Sequence, residues 1–373
     1  MLLQELVKGL EVDNIRGELG LHIDNVVYDS REVSKNSLFI CIEGFKTDGH
    51  LYIQNAIMNG AVAIIAEKSI CLEGVTVISV KDTRKAMATI ANHYYNHPSH
   101  DLKLIGITGT NGKTTTTYMV RNIIETSGKK TAVIGTISNW IGNKEFKTER
   151  TTPESLDIQK TLRKALDKSI EYCIMEVSSH SLELQRVEEC DFSIGTFTNL
   201  SPEHLDFHGN IVNYRNAKKK LFNKTNLCNI INLDDEDGKI IIREIQNSTT
   251  PLLTYGTDEK ADIKAQNIIM TIKEITFDLI TPDYRGAIKV KIPGKFTVYN
   301  ALAAIAITYA LGIDFKHIKE GLLAMEGVAG RLETIKEFED FSVIVDYAHT
   351  PAALENLLQS VREFVQNKVI TVF

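Results

Sequence analysis

The sequence predicts an α/β protein built on a mostly parallel central sheet, and three observations carry that prediction. An apolar run at residues 102–108 leads directly into a glycine loop, a helical pattern at 114–127 and a second apolar run at 131–137. Strand, loop, helix and strand in that order form a βαβ unit, whose right-handed crossover makes strands parallel. Two further runs, 172–177 and 194–198, are continuously apolar, as strands covered on both faces must be. A chain of 373 residues exceeds one ordinary domain. It divides into regions 1–99, 100–330 and 331–373.

In the first region, 38–42, 61–66 and 75–80 read as strands, with a loop at 68–74. The polar stretch NHYYNHPSH at 92–100 reads as a linker. In the second region Gly128 is placed to end the helix that follows the glycine loop. The apolar run 301–311 reads as a buried helix, too short to span a membrane. In the third region 342–345 reads as a strand, 352–365 as a helix and 369–373 as a strand. An α/β domain with one helix and two strands has half a sheet to cover, so this Rossmann-like region is expected to be incomplete.

Composition bounds the function. Hydrophobic content of 43% and charged content of 24% are those of a soluble protein. A net charge of −6 argues against a nucleic-acid partner, while leaving room for a local basic pocket. Cys41, Cys71, Cys173, Cys190 and Cys228 are scattered and odd in number, as reduced thiols of a cytoplasmic protein would be. No secretory signal and no membrane partner are expected, and the chain is expected to act as a monomer.

The chemistry begins at GITGTNGKT, residues 106–114, between strand and helix. Glycines let backbone N–H groups approach phosphate oxygens, and the helix N-terminus adds a favourable field. Lys113 would reach the β- and γ-phosphates of ATP, and the Thr114 hydroxyl would hold Mg²⁺. Ile107 stands where the strict phosphate-loop pattern has its first glycine. Glu176 ends the apolar strand at 172–175, where a second Mg²⁺ ligand is usually placed. FTNLSPEHLDFHG at 197–209 crowds two histidines and acidic groups beyond another strand, at the sheet end where ligands bind.

The loop Gly109, Thr110, Asn111, Gly112, Lys113, Thr114, Thr115 resembles the ATP loop of the Mur ligases, a superfamily that also holds the folylpolyglutamate synthases. Further matches follow in family order: FTNLSPEHLDFHG, with Glu203 where Asp is usual; Tyr214–Lys218 as Y-x-x-A-K; NLDD at 232–235; PGKFTVYN at 293–300; GRLE at 330–333; and DYAHTP at 346–351. The resemblance covers about two thirds of the chain and implies a three-domain architecture. It implies that His204 is a metal ligand and that Lys218 takes up CO₂ to become a carbamate, so that Thr114, Glu176, His204 and Lys218 hold the metal. It also places Asn300, Arg331 and Asp346 against ATP.

DSREV at 29–33 and DGH at 48–50 look like the uridine-nucleotide part of the third and fourth stem ligases, and TTPESLD at 151–157 with MEVSSHS at 175–181 like the third. Ser30, Thr151, Thr152, Ser178 and Arg186 would then touch UDP-MurNAc-L-Ala-D-Glu, while Arg150 and Leu184 replace the Asn and Gln of some relatives. The implied reaction adds a diamino acid, meso-diaminopimelate or L-lysine, through a glutamyl acyl phosphate, in peptidoglycan precursor synthesis. Catalysis would fall to Lys113, Lys218, Glu176 and His204. About a hundred further residues, one small domain, are expected beyond Phe373 to select the amino acid. The rival readings are a folylpolyglutamate-synthase-like ligase and an inactive nucleotide-binding relative.

Overall fold

The computed structural model describes the chain except residues 46, 69, 272, 332, 336–340, 342, 349–350, 363–364, 366 and 373. It forms two compact units. The first comprises Met1–Leu102, Pro153–Lys168 and His180–Cys190, and the second Lys103–Thr152, Ser169–Ser179 and Asp191–Phe373.

The first unit holds strands β1 (Val12–Arg16), β2 (Asn25–Val27), β3 (Ser37–Ile40), β4 (Ala61–Ala66) and β5 (Thr76–Val80), in the order β1-β5-β4-β3-β2. All pairs are parallel except β1 with β5. Helix Thr83–Tyr94 covers one face with Ala86, Met87, Ile90 and Ala91, and packs on helix Ser155–Leu166. Asp82 caps it, accepting from the Arg84 and Lys85 N–H groups at 2.9 Å each. The expected linker at 92–100 is therefore corrected. Its first residues finish this helix, and Pro98–His100 form another helical turn with Pro98 and Ser99 buried. Apolar spacing upstream carried the helix into a polar stretch.

The second unit is organised by an eleven-stranded sheet. Its strands are β6 (Lys103–Thr108), β7 (Thr131–Ile134), β8 (Asn139–Ile141), β9 (Lys144–Phe146), β10 (Tyr172–Glu176), β11 (Phe192–Phe197), β12 (Thr225–Asn232), β13 (Leu252–Gly256), β14 (Ile263–Met270), β15 (Ile275–Ile280) and β16 (Arg285–Val290). The order is β16-β15-β14-β13-β12-β11-β6-β10-β7-β8-β9, parallel from β7 to β14 and antiparallel at both edges. After β6 the chain first builds β7 and β10 on one side, then crosses to β11 on the other. That reversal makes β6 a topological switch point, and sheets of this kind bind ligands at the carboxyl ends of the strands beside such a point.

Ile105, Ile107, Val133, Ile174, Ile194 and Ile230 from the strands form one core with Val120 and Ile123 of helix Lys113–Thr126 and Leu302 and Ile305 of helix Lys295–Ala310. The latter helix is buried without a break from Asn300 to Thr308, as its apolar run required. Gly128, at φ 83°, ends the helix Lys113–Thr126. Strand β7 stops at Ile134, short of the expected residue 137.

Toward the end, β17 (Glu333–Ile335) pairs antiparallel with β18 (Val343–Val345), and helix Pro351–Arg362 follows. Ser342 and Phe373 lie outside the described residues. The strand expected at 369–373 is not formed by residues 369–372; an apolar run becomes a strand only where a neighbour supplies the ladder. Among the described residues no helix is long and apolar enough to cross a membrane, and all five cysteines are free thiols.

Candidate active site

Two glycines set the shape of the loop between β6 and helix Lys113–Thr126. Gly109 has φ 146° and Gly112 φ 84°, and a Cβ would collide with Thr198 Oγ1 at the first and Asn300 Oδ1 at the second. The residues after β11 clip the loop in place. The Thr110 N–H donates to the Asn199 carbonyl (2.8 Å), the Asn111 N–H to Asn199 Oδ1 (2.9 Å), and Thr198 Oγ1 to the Asn111 carbonyl (2.6 Å). The Ser201 N–H in turn donates to Thr110 Oγ1 at 3.0 Å. Half-buried Lys113 turns back over the loop, its ammonium donating to the Gly109 (2.9 Å) and Thr110 (2.8 Å) carbonyls. Thr115 is half-buried one residue beyond Thr114.

Thr114 and Glu176 meet because β6 and β10 are neighbours with Ile107 opposite Glu176. The Thr114 hydroxyl donates to Glu176 Oε2 at 2.9 Å. Glu176 is fully buried, and it also accepts from the Thr136 N–H and hydroxyl, each at 2.9 Å. Three donors fix the carboxylate beside a hydroxyl at the head of the phosphate loop.

Lys218 lies on helix Ile211–Lys219 and is 1% exposed, unlike the next residue, Lys219, which pairs with Glu244 at 2.8 Å. The Lys218 ammonium donates to the Gly109 carbonyl at 2.8 Å and stands 4.4 Å above the Tyr214 ring. So Lys113 and Lys218 converge on one carbonyl oxygen. Burial pushes Lys218 well below the usual lysine range, the Lys113 charge adds to this, and Glu203 opposes it. Burial also lowers Lys113, opposed by Glu176 and Glu203 and reinforced by Arg331.

His204 has a left-handed backbone (φ 55°) and a half-exposed side chain, with Nε2 3.9 Å from Glu203 Oε2. Among the described residues no three His, Cys, Asp or Glu side chains are grouped to hold a metal ion. The donors that fit Mg²⁺ here are the Thr114 hydroxyl and the Glu176 carboxylate, a hard-oxygen pair that phosphate oxygens would complete.

Asn300 comes to the phosphate loop from the helix Lys295–Ala310, its amide oxygen filling the space a side chain at Gly112 would need. Asp346 Oδ1 accepts from the Ala348 N–H at 2.8 Å, and the Arg331 guanidinium lies 5.1 Å from the Tyr347 ring. The two acids of NLDD serve the scaffold: Asp234 accepts from the Thr257 N–H (2.7 Å) and Tyr299 hydroxyl (3.0 Å), and Asp235 caps helix Glu236–Glu244.

Of the expected substrate residues, Thr151, Thr152 and Ser178 belong to the second unit and Ser30 and Arg186 to the first. Thr151 Oγ1 is 3.1 Å from Thr136 Oγ1, and Thr152 Oγ1 donates to the Glu176 carbonyl (2.8 Å) and accepts from the Ser178 N–H (3.1 Å). Ser30 is buried at the start of a helical turn capped by Asp29. Arg186 is buried and pairs with Glu154 at 3.0 Å; Glu154 also takes Arg84 at 3.1 Å. Other residues join them that the sequence patterns do not single out by role. Tyr214 is the first letter of Y-x-x-A-K, and its buried hydroxyl is 3.2 Å from Thr110 Oγ1. His208 is buried with Nε2 2.9 Å from Ser179 Oγ. Thr136 carries no motif at all.

Three family profiles match in sequence order: the Mur ligase family, catalytic domain, over residues 22–95; the Mur ligase middle domain over 107–308; and the Mur ligase, glutamate ligase domain over 330–373. A UDP-N-acetylmuramoyl-L-alanyl-D-glutamate–2,6-diaminopimelate ligase of Alkaliphilus metalliredigens is 51% identical over all of this chain and 76% of its own length. The enzyme of that name from Clostridioides difficile is 50% identical over all of this chain and 77% of its own. Among solved structures, one of a ligase with this name superposes with a TM-score of 0.84 at 29% identity, covering 98% of this chain and 75% of that one. MurF from Acinetobacter baumannii shares the fold, with a TM-score of 0.73 at 23% identity over 98% of this chain and 76% of that one. This chain belongs to the Mur ligase family of ATP-dependent ligases.

Proposed function

We propose that the chain joins diaminopimelate to the glutamyl residue of UDP-MurNAc-L-Ala-D-Glu at the expense of ATP, within the cytoplasm and as a monomer. The observation that carries this reading is the convergence of the phosphate loop, Glu176 and Lys218 in a chain about half identical to ligases of that name. We assign residues 1–99 to the uridine nucleotide, 100–330 to ATP and 331–373 to the amino-acid domain.

The loop residues 109–115 would cradle the phosphates, with Lys113 leaving its two carbonyls to screen their charge. Thr114 and Glu176 would hold Mg²⁺ together with His204 and a carbamylated Lys218, while Asn300, Arg331 and Asp346 would face the nucleotide. Magnesium would supply charge neutralisation between phosphate and carboxylate. The γ-phosphoryl group passes to the glutamyl side-chain carboxylate and ADP leaves. The amine of the diamino acid then attacks the acyl carbon, loses a proton and expels phosphate. Burial lowers the Lys218 pKa and so favours the free amine, the form that reacts with CO₂, which supports the carbamate role of Lys218. Ser30, Thr151, Thr152, Ser178 and Arg186 would hold the UDP-muramoyl dipeptide.

The test incubates the protein with MgATP and UDP-MurNAc-L-Ala-D-Glu, with meso-diaminopimelate or L-lysine, and follows phosphate and tripeptide together. Phosphate and tripeptide formed together, and only when UDP-MurNAc-L-Ala-D-Glu and diaminopimelate are both present, is the expected result. Phosphate release driven by a folate, with none driven by the UDP-dipeptide, would sink the assignment.

A further inference from the structure

Glu154 sits where a helix start would normally use it. It occupies the N-cap of helix Ser155–Leu166, yet its side chain makes no capping bond. The carboxylate instead reaches two guanidinium groups from separate stretches of the first unit: Arg84 Nη1 to Oε2 at 3.1 Å and Arg186 Nη2 to Oε1 at 3.0 Å. All three side chains are largely withdrawn from water, at 7% exposure for Glu154, 16% for Arg84 and 10% for Arg186. Arg84 is anchored further, since its Nη2 donates to the Glu43 carbonyl at 3.2 Å. One carboxylate oxygen per arginine is the geometry of a clamp: an arginine tied down at one end fixes the carboxylate, and the carboxylate fixes the plane of the other arginine.

We propose that Glu154, backed by Arg84, is a positioning residue that sets the Arg186 guanidinium to receive a carboxylate of the substrate. This rests on the proposed function, in which Arg186 touches the UDP-muramoyl dipeptide. That substrate ends in a glutamyl residue with two carboxylates, of which one reacts and the other stays anionic throughout. A guanidinium with a fixed plane recognises such a group by paired N–H donors, and gains most when its orientation is settled before binding. Glu154 does not touch the reacting atoms; its effect passes through Arg186.

The test compares wild type with Glu154→Gln and Arg84→Gln by calorimetric titration of UDP-MurNAc-L-Ala-D-Glu and of UDP-MurNAc-L-Ala, which lacks the glutamyl carboxylates, and by KM and kcat at saturating MgATP. The expected result is a rise on the order of tenfold in Kd and KM for the dipeptide with Glu154→Gln, and a smaller rise with Arg84→Gln. Affinity for UDP-MurNAc-L-Ala, KM for ATP and kcat should stay within about twofold. Glu154→Asp, keeping the charge on a shorter arm, should recover part of the loss. Equal losses for both nucleotides, or unchanged dipeptide affinity in a folded Glu154→Gln protein, would overturn the assignment. If Glu154→Gln does not fold, the Arg84→Gln result decides alone, a dipeptide-selective loss supporting the clamp and any other pattern overturning it. Failure of wild type to bind the dipeptide would instead refute the proposed function on which this inference stands.

Discussion

Replacing Lys218 by methionine should make the second unit more stable near neutral pH while removing ligase activity. The native side chain is 1% exposed, and among the described residues its ammonium has one hydrogen bond, 2.8 Å to the Gly109 carbonyl, with the Tyr214 ring beneath it. Methionine has similar length and no charge. The Gly109 carbonyl keeps the Lys113 ammonium at 2.9 Å, so no buried acceptor is orphaned. Exchanging buried ionic groups for apolar ones of similar volume gains about 1–4 kcal/mol, and losing a charge-assisted hydrogen bond returns part of that, leaving about 1–2 kcal/mol. The melting temperature should rise by about 2–4 °C for each kcal/mol. Its pH dependence has a definite sign. Burial, the Lys113 charge and the opposing Glu203 together hold the native Lys218 well below 10.5. Between that lowered value and 10.5 the unfolded chain binds more protons than the native one, so wild-type stability climbs with pH and the advantage of methionine shrinks. Urea unfolding of both proteins at about pH 7 and about pH 9.5, in bicarbonate-free buffer to keep CO₂ from the amine, reads this directly. A variant less stable than wild type near neutrality, or a gain that ignores pH, would refute the claim that this lysine is a buried and costly cation.

Three other substitutions probe the phosphate loop. Thr114→Ala should cost about 1 kcal/mol, because Glu176 Oε2 keeps the Thr136 hydroxyl, but should abolish thermal protection by MgATP, which Thr114→Ser should retain. Gly112→Ala places a Cβ against Asn300 at φ 84° and should cost about 1–3 kcal/mol along with ATP protection; Gly128→Ala, at φ 83° with nothing within 4 Å, should show backbone strain alone and bind ATP normally in the same melting assay. Tyr214→Phe removes the hydroxyl 3.2 Å from Thr110 and keeps the ring under Lys218, so it should destabilise by about 0.5–1.5 kcal/mol in urea and raise KM for ATP more than KM for the dipeptide.

What could be read from the residues was whatever physics writes locally. Continuous apolar runs marked β6, β10 and β11 to within two residues, and the glycines at 109, 112 and 128 fall where the backbone has positive φ. The antiparallel edges were not seen. Strand β15 alternates buried and half-buried positions, a pattern shared with any half-covered segment, and β8 and β9 have three residues each. The polar run at 92–100 hides the end of a helix, because a helix face is set by spacing over several turns and that spacing begins before the run. At the candidate site, the residue types of Lys113, Thr114, Glu176 and Lys218 single them out in the sequence and the structure brings them to the phosphate loop, whereas the groups that aim them carry no such mark. Thr114 and Glu176 are 62 positions apart and Lys218 and Gly109 are 109 apart. Their meeting depends on which strand lies beside β6, and that order is decided by the packing of the whole sheet. Glu154 shows the same limit within the first unit. As a letter it is the fourth residue of TTPESLD and an ordinary N-terminal acid before a helix. Only when the segments around 84, 154 and 186 fold together does its carboxylate acquire two guanidinium partners, and with them a task different from capping.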